Sequence, residues 1–566
     1  MQAITDLFRV TRLLIEMCRG IQHSRRVIII VIVAGIVSGV CNTALIALIN
    51  EAVNSGGPPP GRLAWWFGGL CLVIAATRFV SGAMLVRLMQ RAVYDLRMSL
   101  SRKIIAAPLR LLEHLGAHKL LVTLVNDVPR ISDAIIALPL LFMNVAILTG
   151  CLVYLGLLSW RLLLGVVFFM LLGILSHQLP VMKATQHFGR ARDAMDTLVK
   201  HLRALIGGVK ELKLHRRRRE SFITELLEPT AFSMQRENVI GETIWAAAGS
   251  WGQILFFVAI GLVVFAAPRM SALGGQTLTG YTLTILFMMG PLDFVLNTLP
   301  RLAQADVAMK KIEALSISLA GHSMSNEATA QTDAKADWQL LELDHLMHSY
   351  DRDGEEDFTL GPINLSFRPG EFVFIAGGNG SGKTTLAKLL TGLYVPEGGE
   401  IRLDGVPITN ENRDYYRQFF SVVYSDFFLF EGLHGLAQQD LDAKAHEYLV
   451  QLQLDHKVKV TDGMLSTVEL SQGQRKRLAL LTAYLENRPI YVFDEWAADQ
   501  DPQFRELFYL QLLPGLKARG KTVLVISHDD RYYHLADRMI KLDYGRQVSD
   551  ERVASTEVET PQYLTR

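Results

Sequence analysis

Only four of the 566 residues are cysteine (Cys18, Cys41, Cys71 and Cys151), and no two form a Cys-x-x-Cys pair. Widely spaced, in or beside apolar segments, they point to neither a disulfide framework nor a zinc site. Net charge is nearly absent: 57 Lys and Arg stand against 56 Asp and Glu, so no global field draws the chain to nucleic acid. No internal repeat is evident. Residues 1–10 lack an apolar core followed by a small-residue cleavage site, so no removed signal peptide is expected.

What is present is apolar residue, at 50% of the chain, gathered into six windows near 27–48, 63–85, 134–158, 162–181, 243–266 and 279–299. Each is long enough to cross a bilayer, which takes about 20 residues. The third and fourth are separated only by Ser159-Trp160-Arg161 and form a tight hairpin. Long polar, helix-forming stretches follow the second and fourth windows. Basic residues fix the orientation, because cytoplasmic segments near span ends collect Lys and Arg. Arg9, Arg12, Arg19, Arg25 and Arg26 precede the first span, Arg87, Arg91, Arg97, Arg102, Lys103 and Arg110 follow the second, and Arg216–Arg219 lie in the second long loop. Arg62, Arg161 and Arg269 fall on the other side. The N-terminus, both long loops and everything after residue 300 are therefore expected in the cytoplasm. Arg216–Arg219 read as a solvated helix face with some lipid-headgroup contact.

Residues 318–336 are small and polar and read as a linker between a membrane domain (1–317) and an α/β domain with a C-terminal tail (337–566). In the latter, Gly377-Gly-Asn379-Gly380-Ser381-Gly382-Lys383-Thr384 fits G-x-x-x-x-G-K-[ST], with a buried strand before it and a helix opening at Thr385. Glycines let backbone N–H groups turn towards phosphate oxygens. The helix N-terminus adds positive potential, Lys383 reaches β- and γ-phosphates, and the Thr384 hydroxyl can ligate Mg²⁺. A second Gly/Ser turn, Ser471-Gln472-Gly473-Gln474, opens another helix and suits a γ-phosphate. The apolar strand Ile490–Phe493 ends in two carboxylates. Asp494 can hold Mg²⁺ through water and Glu495 can polarise an attacking water. A further strand ends in His528.

Together the phosphate loop, Leu470-Ser-Gln-Gly-Gln474, the Asp494-Glu495 strand and Ser527-His528 resemble an ATP-binding cassette ATPase. With six spans before it, the whole is similar to a bacterial half-size ABC exporter. The expected fold is thus a six-span α-helical transmembrane domain fused to an α/β P-loop ABC ATPase domain. The resemblance implies that two copies pair head to tail as a homodimer, each ATP lying between the phosphate loop of one and Ser471–Gln474 of the other. It implies that Tyr350 stacks on adenine, Asp499 lies in a loop contacting the opposite site, and His528 senses the γ-phosphate. It also implies that the loop from Ala107 to Asp127 docks on the ATPase and that residues 198–215 reach the ATPase of the partner.

Three departures stand out. Gln472 occupies the place of the usual first glycine; Ser425 stands where a glutamine usually links Mg²⁺ to the membrane domain; and Trp496-Ala-Ala-Asp-Gln-Asp501 replaces the commoner run after the catalytic glutamate. Ser425–Phe430, Phe493–Pro502 and Ser527–Tyr533 are similar to the ABC exporter branch that secretes cyclic and nonribosomal peptides, including lipopeptides, siderophore precursors and microcins. The expected function is ATP-driven export of such a peptide across the bacterial inner membrane by alternating access. Alternatives are a lipid or multidrug exporter, or a membrane ABC ATPase with a regulatory role. Arg78, Glu242, Asp293 and Asn297 are costly in lipid and are expected to face protein or a water-filled cavity. Arg78, Asp293 and Asn297 are the candidates for cargo binding. Asp293 and Asn297, four apart on one helical face, read equally as a helix–helix hydrogen bond or an interface position, and Glu242, at a span end, reads as snorkelling to the interface.

Overall fold

The computed structural model describes residues 22–55, 60–270, 274–320, 337–350, 358–436 and 440–553. Arg9, Arg12, Arg19, the C-terminal tail and linker residues 321–336 lie outside them. The chain packs as two compact units, one drawn from residues up to Leu100 with Leu121–Leu315, the other from Ser101–Leu120 with everything from Ser316 onward. This differs from the linear division read from the sequence. Segment Ser101–Leu120, counted there with the membrane domain, belongs to the ATPase unit, because its side chains pair with that unit. Likewise, residues 318–320, read as linker, continue a helix that ends at Ala320.

The principal helices of the first half are α1 (Gln22–Val53), α2 (Gly61–Ala106), the short α3 (Leu109–Leu115), α4 (Val128–Leu158), α5 (Trp160–Gly207), α6 (Glu228–Gly261) and α7 (Gly275–Ala320). Among the described residues six stretches are long and apolar enough to cross a membrane: Ile29–Val53, Gly61–Ala106, Pro139–Leu158, Trp160–Gly207, Arg216–Arg269 and Gly275–Thr298. Many of their outward residues are large and apolar; Trp65 is 85% and Leu157 81% exposed, a surface suited to lipid rather than water. Within this unit α1 packs on α4 and α5 on α6. Small residues allow the close approach: a Cβ on Gly39 would stand 3.0 Å from that of Ala146. The α4–α5 hairpin turns on Ser159 alone and is tied by buried Tyr281, whose hydroxyl donates to the carbonyls of Leu155 (2.8 Å) and Ser159 (2.6 Å).

In the second unit the strands are β1 (Leu341–Tyr350), β2 (Phe358–Phe367), β3 (Phe372–Gly377), β4 (Gly398–Leu403), β5 (Val406–Pro407), β6 (Phe420–Val423), β7 (Val460–Thr461), β8 (Met464–Leu465), β9 (Ile490–Asp494), β10 (Thr522–Ile526), β11 (Arg538–Asp543) and β12 (Arg546–Arg552). A six-stranded sheet in the order β12-β11-β3-β10-β9-β6 is parallel except for β12, and a four-stranded antiparallel sheet runs β2-β1-β4-β5. The central strands are buried on both faces, hence their unbroken apolar runs. Register sets Ile526 beside both Ile375 and Asp494, so β3, β9 and β10 end together. Open α/β sheets bind ligands at this carboxyl edge.

Candidate functional site

β3 runs into the phosphate loop at Gly377. Its φ of +157° and surroundings demand glycine, since a Cβ would lie 2.4 Å from the Leu542 carbonyl oxygen and 2.5 Å from Ser381 Oγ. Gly382, at φ +95°, caps helix α8 (Lys383–Leu390); a Cβ there would press on Leu360 Cδ1 at 2.8 Å. Lys383 is 4% exposed and its Nζ donates to the carbonyls of Gly377 (3.1 Å) and Gly378 (2.8 Å). Burial pushes the Lys383 pKa down, against the pull of Glu495 and Asp494. Asn379, Gly380, Ser381, Gly382, Lys383, Thr384 and Thr385 line a cavity of about 580 Å³ together with Tyr350 and Glu495. The Tyr350 hydroxyl lies 3.3 Å from Thr385 Oγ1, so the aromatic residue and the phosphate loop form one wall.

Three residues read as Mg²⁺ ligands converge on one carboxylate. Asp494 Oδ2 accepts from Thr384 Oγ1 at 3.0 Å and from Ser425 Oγ at 3.4 Å. Asp494 is fully buried, its Oδ1 has no hydrogen-bond partner, and burial drives its pKa up. A buried carboxylate with an orphaned oxygen fits a nearby cation, which would relieve the desolvation cost. Ser381 Oγ is likewise buried without a partner and faces the loop interior. Among the described residues no cluster of three His, Cys, Asp or Glu could hold a metal. An ion here would depend on Asp494, hydroxyls and phosphate oxygens, the set that Mg²⁺ prefers.

Glu495 follows at φ +48°, a left-handed conformation sparsely used by non-glycine residues, with its N–H donating to Ile526 O at 3.0 Å. Its Oε1 stands 3.1 Å from His528 Nε2 and 4.0 Å from Lys383 Nζ. The Glu495 and His528 side chains are 37% and 42% exposed, so water reaches them. His528 is aimed by its neighbour: Tyr509 OH lies 2.8 Å from Ser527 Oγ, and Tyr533 OH donates to Ser527 O at 2.8 Å.

Ser471, Gly473, Gln474 and Asp499 form a second group and do not line the phosphate-loop cavity. Ser471 caps helix α9 (Gln472–Glu486): its hydroxyl accepts from Gln474 N at 3.5 Å while Gln474 Oε1 accepts from Ser471 N at 3.3 Å, a reciprocal capping box. Gln472, the departure from glycine, donates to Asp499 Oδ2 at 3.2 Å. Asp499 also pairs with nearly buried Lys476 at 2.7 Å, and Lys476 donates to Glu495 O at 3.1 Å. The turn and the end of β9 are thereby joined through a residue the motifs did not single out. Gln500 adds a bond from Nε2 to Gly473 O at 3.0 Å, and Trp496 Nε1 donates to Lys476 O at 2.8 Å. The unusual Trp496–Asp501 run is thus the underside of this turn.

Sequence reasoning also missed the far wall of the cavity, formed by Glu113 of α3 with Phe358, Lys388 and Tyr394. Lys388 Nζ donates to Glu113 Oε1 at 2.8 Å, and the Tyr394 hydroxyl donates to the other carboxylate oxygen. Arg110 of α3 pairs with Glu397 and donates to Ser349 O at 3.0 Å, beside Tyr350. The expected docking of the first loop is present, and it reaches the cavity itself. The second-loop residues 198–215 belong to the first unit, as the end of α5 and the helix Val209–Leu214. There, Asn297 Nδ2 donates to Asp293 Oδ1 at 2.9 Å on one helical face, Arg78 and Glu242 are exposed, and Arg216 pairs with Glu220.

Residues 360–498 match the family model for an ABC transporter, and residues 27–292 match the ABC transporter transmembrane region. The chain is 37% identical over 538 residues to the ATP-binding protein SyrD of Pseudomonas syringae pv. syringae, covering 92% of this chain and 94% of that protein. It is 25% identical over 503 residues to an ATP-dependent lipid A-core flippase of Thiobacillus denitrificans, covering 85% and 84%. The fold resembles that of a bacterial Atm1-family ABC exporter with ATP bound, at a TM-score of 0.72 and 17% identity over 94% of this chain and 96% of that one.

Proposed function

The chain belongs to the ABC transporter family, as a half-size exporter that couples ATP hydrolysis to transport, and from that premise we propose that it moves a peptide outward across the inner membrane as a homodimer. One observation carries the dimer: the groups suited to phosphate fall into two clusters, and Ser471, Gly473 and Gln474 stand apart from the cavity of Lys383 and Glu495. A second copy, head to tail, would cover each cavity with the other's turn.

In this reading Lys383 and the loop amides hold the β- and γ-phosphates, Tyr350 packs on adenine, and Glu495 orients and polarises the attacking water with His528 fixing its carboxylate. Mg²⁺, held by Thr384 and through water by Asp494 with Ser425 beside it, would neutralise phosphate charge. Closure around two ATP molecules would move α3 through Glu113 and Arg110, and the helix Val209–Leu214 would carry the same motion from the partner's ATPase. ATP drives the switch only by binding the closed state more tightly.

The peptide cargo rests on the similarity of Ser425–Phe430, Phe493–Pro502 and Ser527–Tyr533 to peptide-secreting exporters. A lipid is the second reading, favoured by the likeness to a lipid A-core flippase over 85% of this chain. Mixed dimers test the pairing. Combining Lys383→Ala with Ser471→Ala chains leaves one whole site if the arrangement is head to tail, so activity should return on mixing; no recovery would sink it. Proteoliposomes offered peptides and lipids side by side test the cargo, and transport of lipid alone would overturn the peptide reading.

A further inference from the structure

Away from the ATPase, the first unit has a half-open cavity of about 470 Å³ between α5, α6 and α7, with Asp293 at an exposed position in it. Its walls are largely apolar, with Phe169, Phe256, Met288 and Met289 prominent, and four polar side chains enter it: His177, Ser250, Gln253 and Asp293. Such a volume lies in the range of small-ligand sites, about 300–1,000 Å³, and takes a side chain or two rather than a whole peptide. Glycines open it, since a Cβ on Gly249 or Gly290 would meet nothing within 4 Å.

Two of the polar groups are incomplete within the chain. Asp293 lies in the membrane-crossing stretch Gly275–Thr298, where a carboxylate is expensive unless it meets a cation or water. It accepts from Asn297, and among the described residues it forms no ion pair. Arg78, the basic residue among the candidates read from the sequence, lines a different cavity with Asn144. His177 Nδ1 is buried and has no hydrogen-bond partner. Buried polar atoms in native proteins are almost always paired, so an unpaired ring nitrogen on a residue that lines the cavity points to a partner that the described residues do not supply. A carboxylate and an imidazole set in apolar walls select a hydrogen-bond donor of positive charge on a hydrophobic body.

We propose that this cavity is the cargo pocket and that it takes a protonated amine or guanidinium carried by an apolar peptide, Asp293 meeting the cation and His177 an adjacent polar group. The proposal rests on the peptide-export reading and sharpens it. An anionic lipid headgroup would be repelled from the same place.

The test uses the full chain in lipid nanodiscs and two matched pairs of probes. One pair is an amphipathic peptide bearing a free amine and its N-acetylated form; the other is dodecylamine and dodecanol. Direct calorimetric titration reads binding, and each variant is first shown to be monodisperse. The native chain should bind each amine at least tenfold more tightly than its neutral counterpart. Asp293→Asn should cut that preference to threefold or less, and Asp293→Lys should reverse it. Gly249→Phe should fill the pocket and weaken all four probes. Equal binding of charged and neutral probes by the native chain, or an unchanged preference in Asp293→Asn, would overturn the pocket assignment. Amine-selective binding through Asp293 with transport of lipid but no peptide would keep the pocket and discard the peptide reading.

Discussion

The phosphate loop and the Ser471–Gln474 turn are both helix N-termini built to meet anions, yet they are finished differently. The first leaves polar atoms unpaired: Ser381 Oγ in the loop and Asp494 Oδ1 at the end of β9 beside it are buried without partners. The second is closed on its inner side. Ser471 and Gln474 cap each other, Gln472 is held by Asp499, and Gly473 by Gln500. An open site waits for a ligand on its own chain, whereas a turn braced from behind presents a fixed face outward. That contrast supports the proposed sharing of a nucleotide between two chains.

The sharpest way to break the comparison is at the chemistry. Glu495→Gln should lower steady-state ATP turnover by about 10²–10⁴-fold, the usual worth of a general base, while nucleotide still binds. Trapped nucleotide and a more compact dimer on size exclusion should accompany the loss. Next, Lys383→Ala should weaken ATP binding as well as turnover, about 10²-fold or more in rate, read by equilibrium nucleotide titration. Turnover lost with binding intact in both variants would mean the two positions are not distinct in role. On the other half, Asp499→Ala strips nearly buried Lys476 of its carboxylate and loosens Gln472. We expect a loss of about 1–3 kcal/mol in unfolding free energy, measured by denaturant titration, with nucleotide affinity of the isolated chain unchanged. Smallest is Gln472→Gly, which restores the commoner residue; losing one exposed hydrogen bond should cost about 0.5–1.5 kcal/mol and leave turnover within about twofold.

Much of this was legible before the structure. The motifs around Lys383, Thr384, Asp494, Glu495 and His528 locate one cluster at the carboxyl edge of the sheet because strand ends and loops are local. The apolar windows likewise locate the spans. What could not be read was contact across hundreds of residues. Glu113 meets Lys388 and Tyr394 only because α3 packs into the second unit, and no local pattern states which residues its carboxylate will find. Lys476 looked like one of several basic residues on a helix surface, yet it is 3% exposed and bridges Asp499 and Glu495. Helix extent was hidden for a related reason. Apolar content marks the bilayer, but α2 and α5 run on past their apolar windows, to 46 and 48 residues in all.

Glu495 sits at a backbone angle of φ +48°, a conformation that costs a non-glycine residue about 1–3 kcal/mol. The side chain proposed above as the group that polarises water therefore occupies one of the least comfortable backbone positions. Any search for a sturdier version of the protein, by directed evolution or consensus redesign, would be tempted to place glycine there, and under that proposal would return a more robust molecule that no longer turns over.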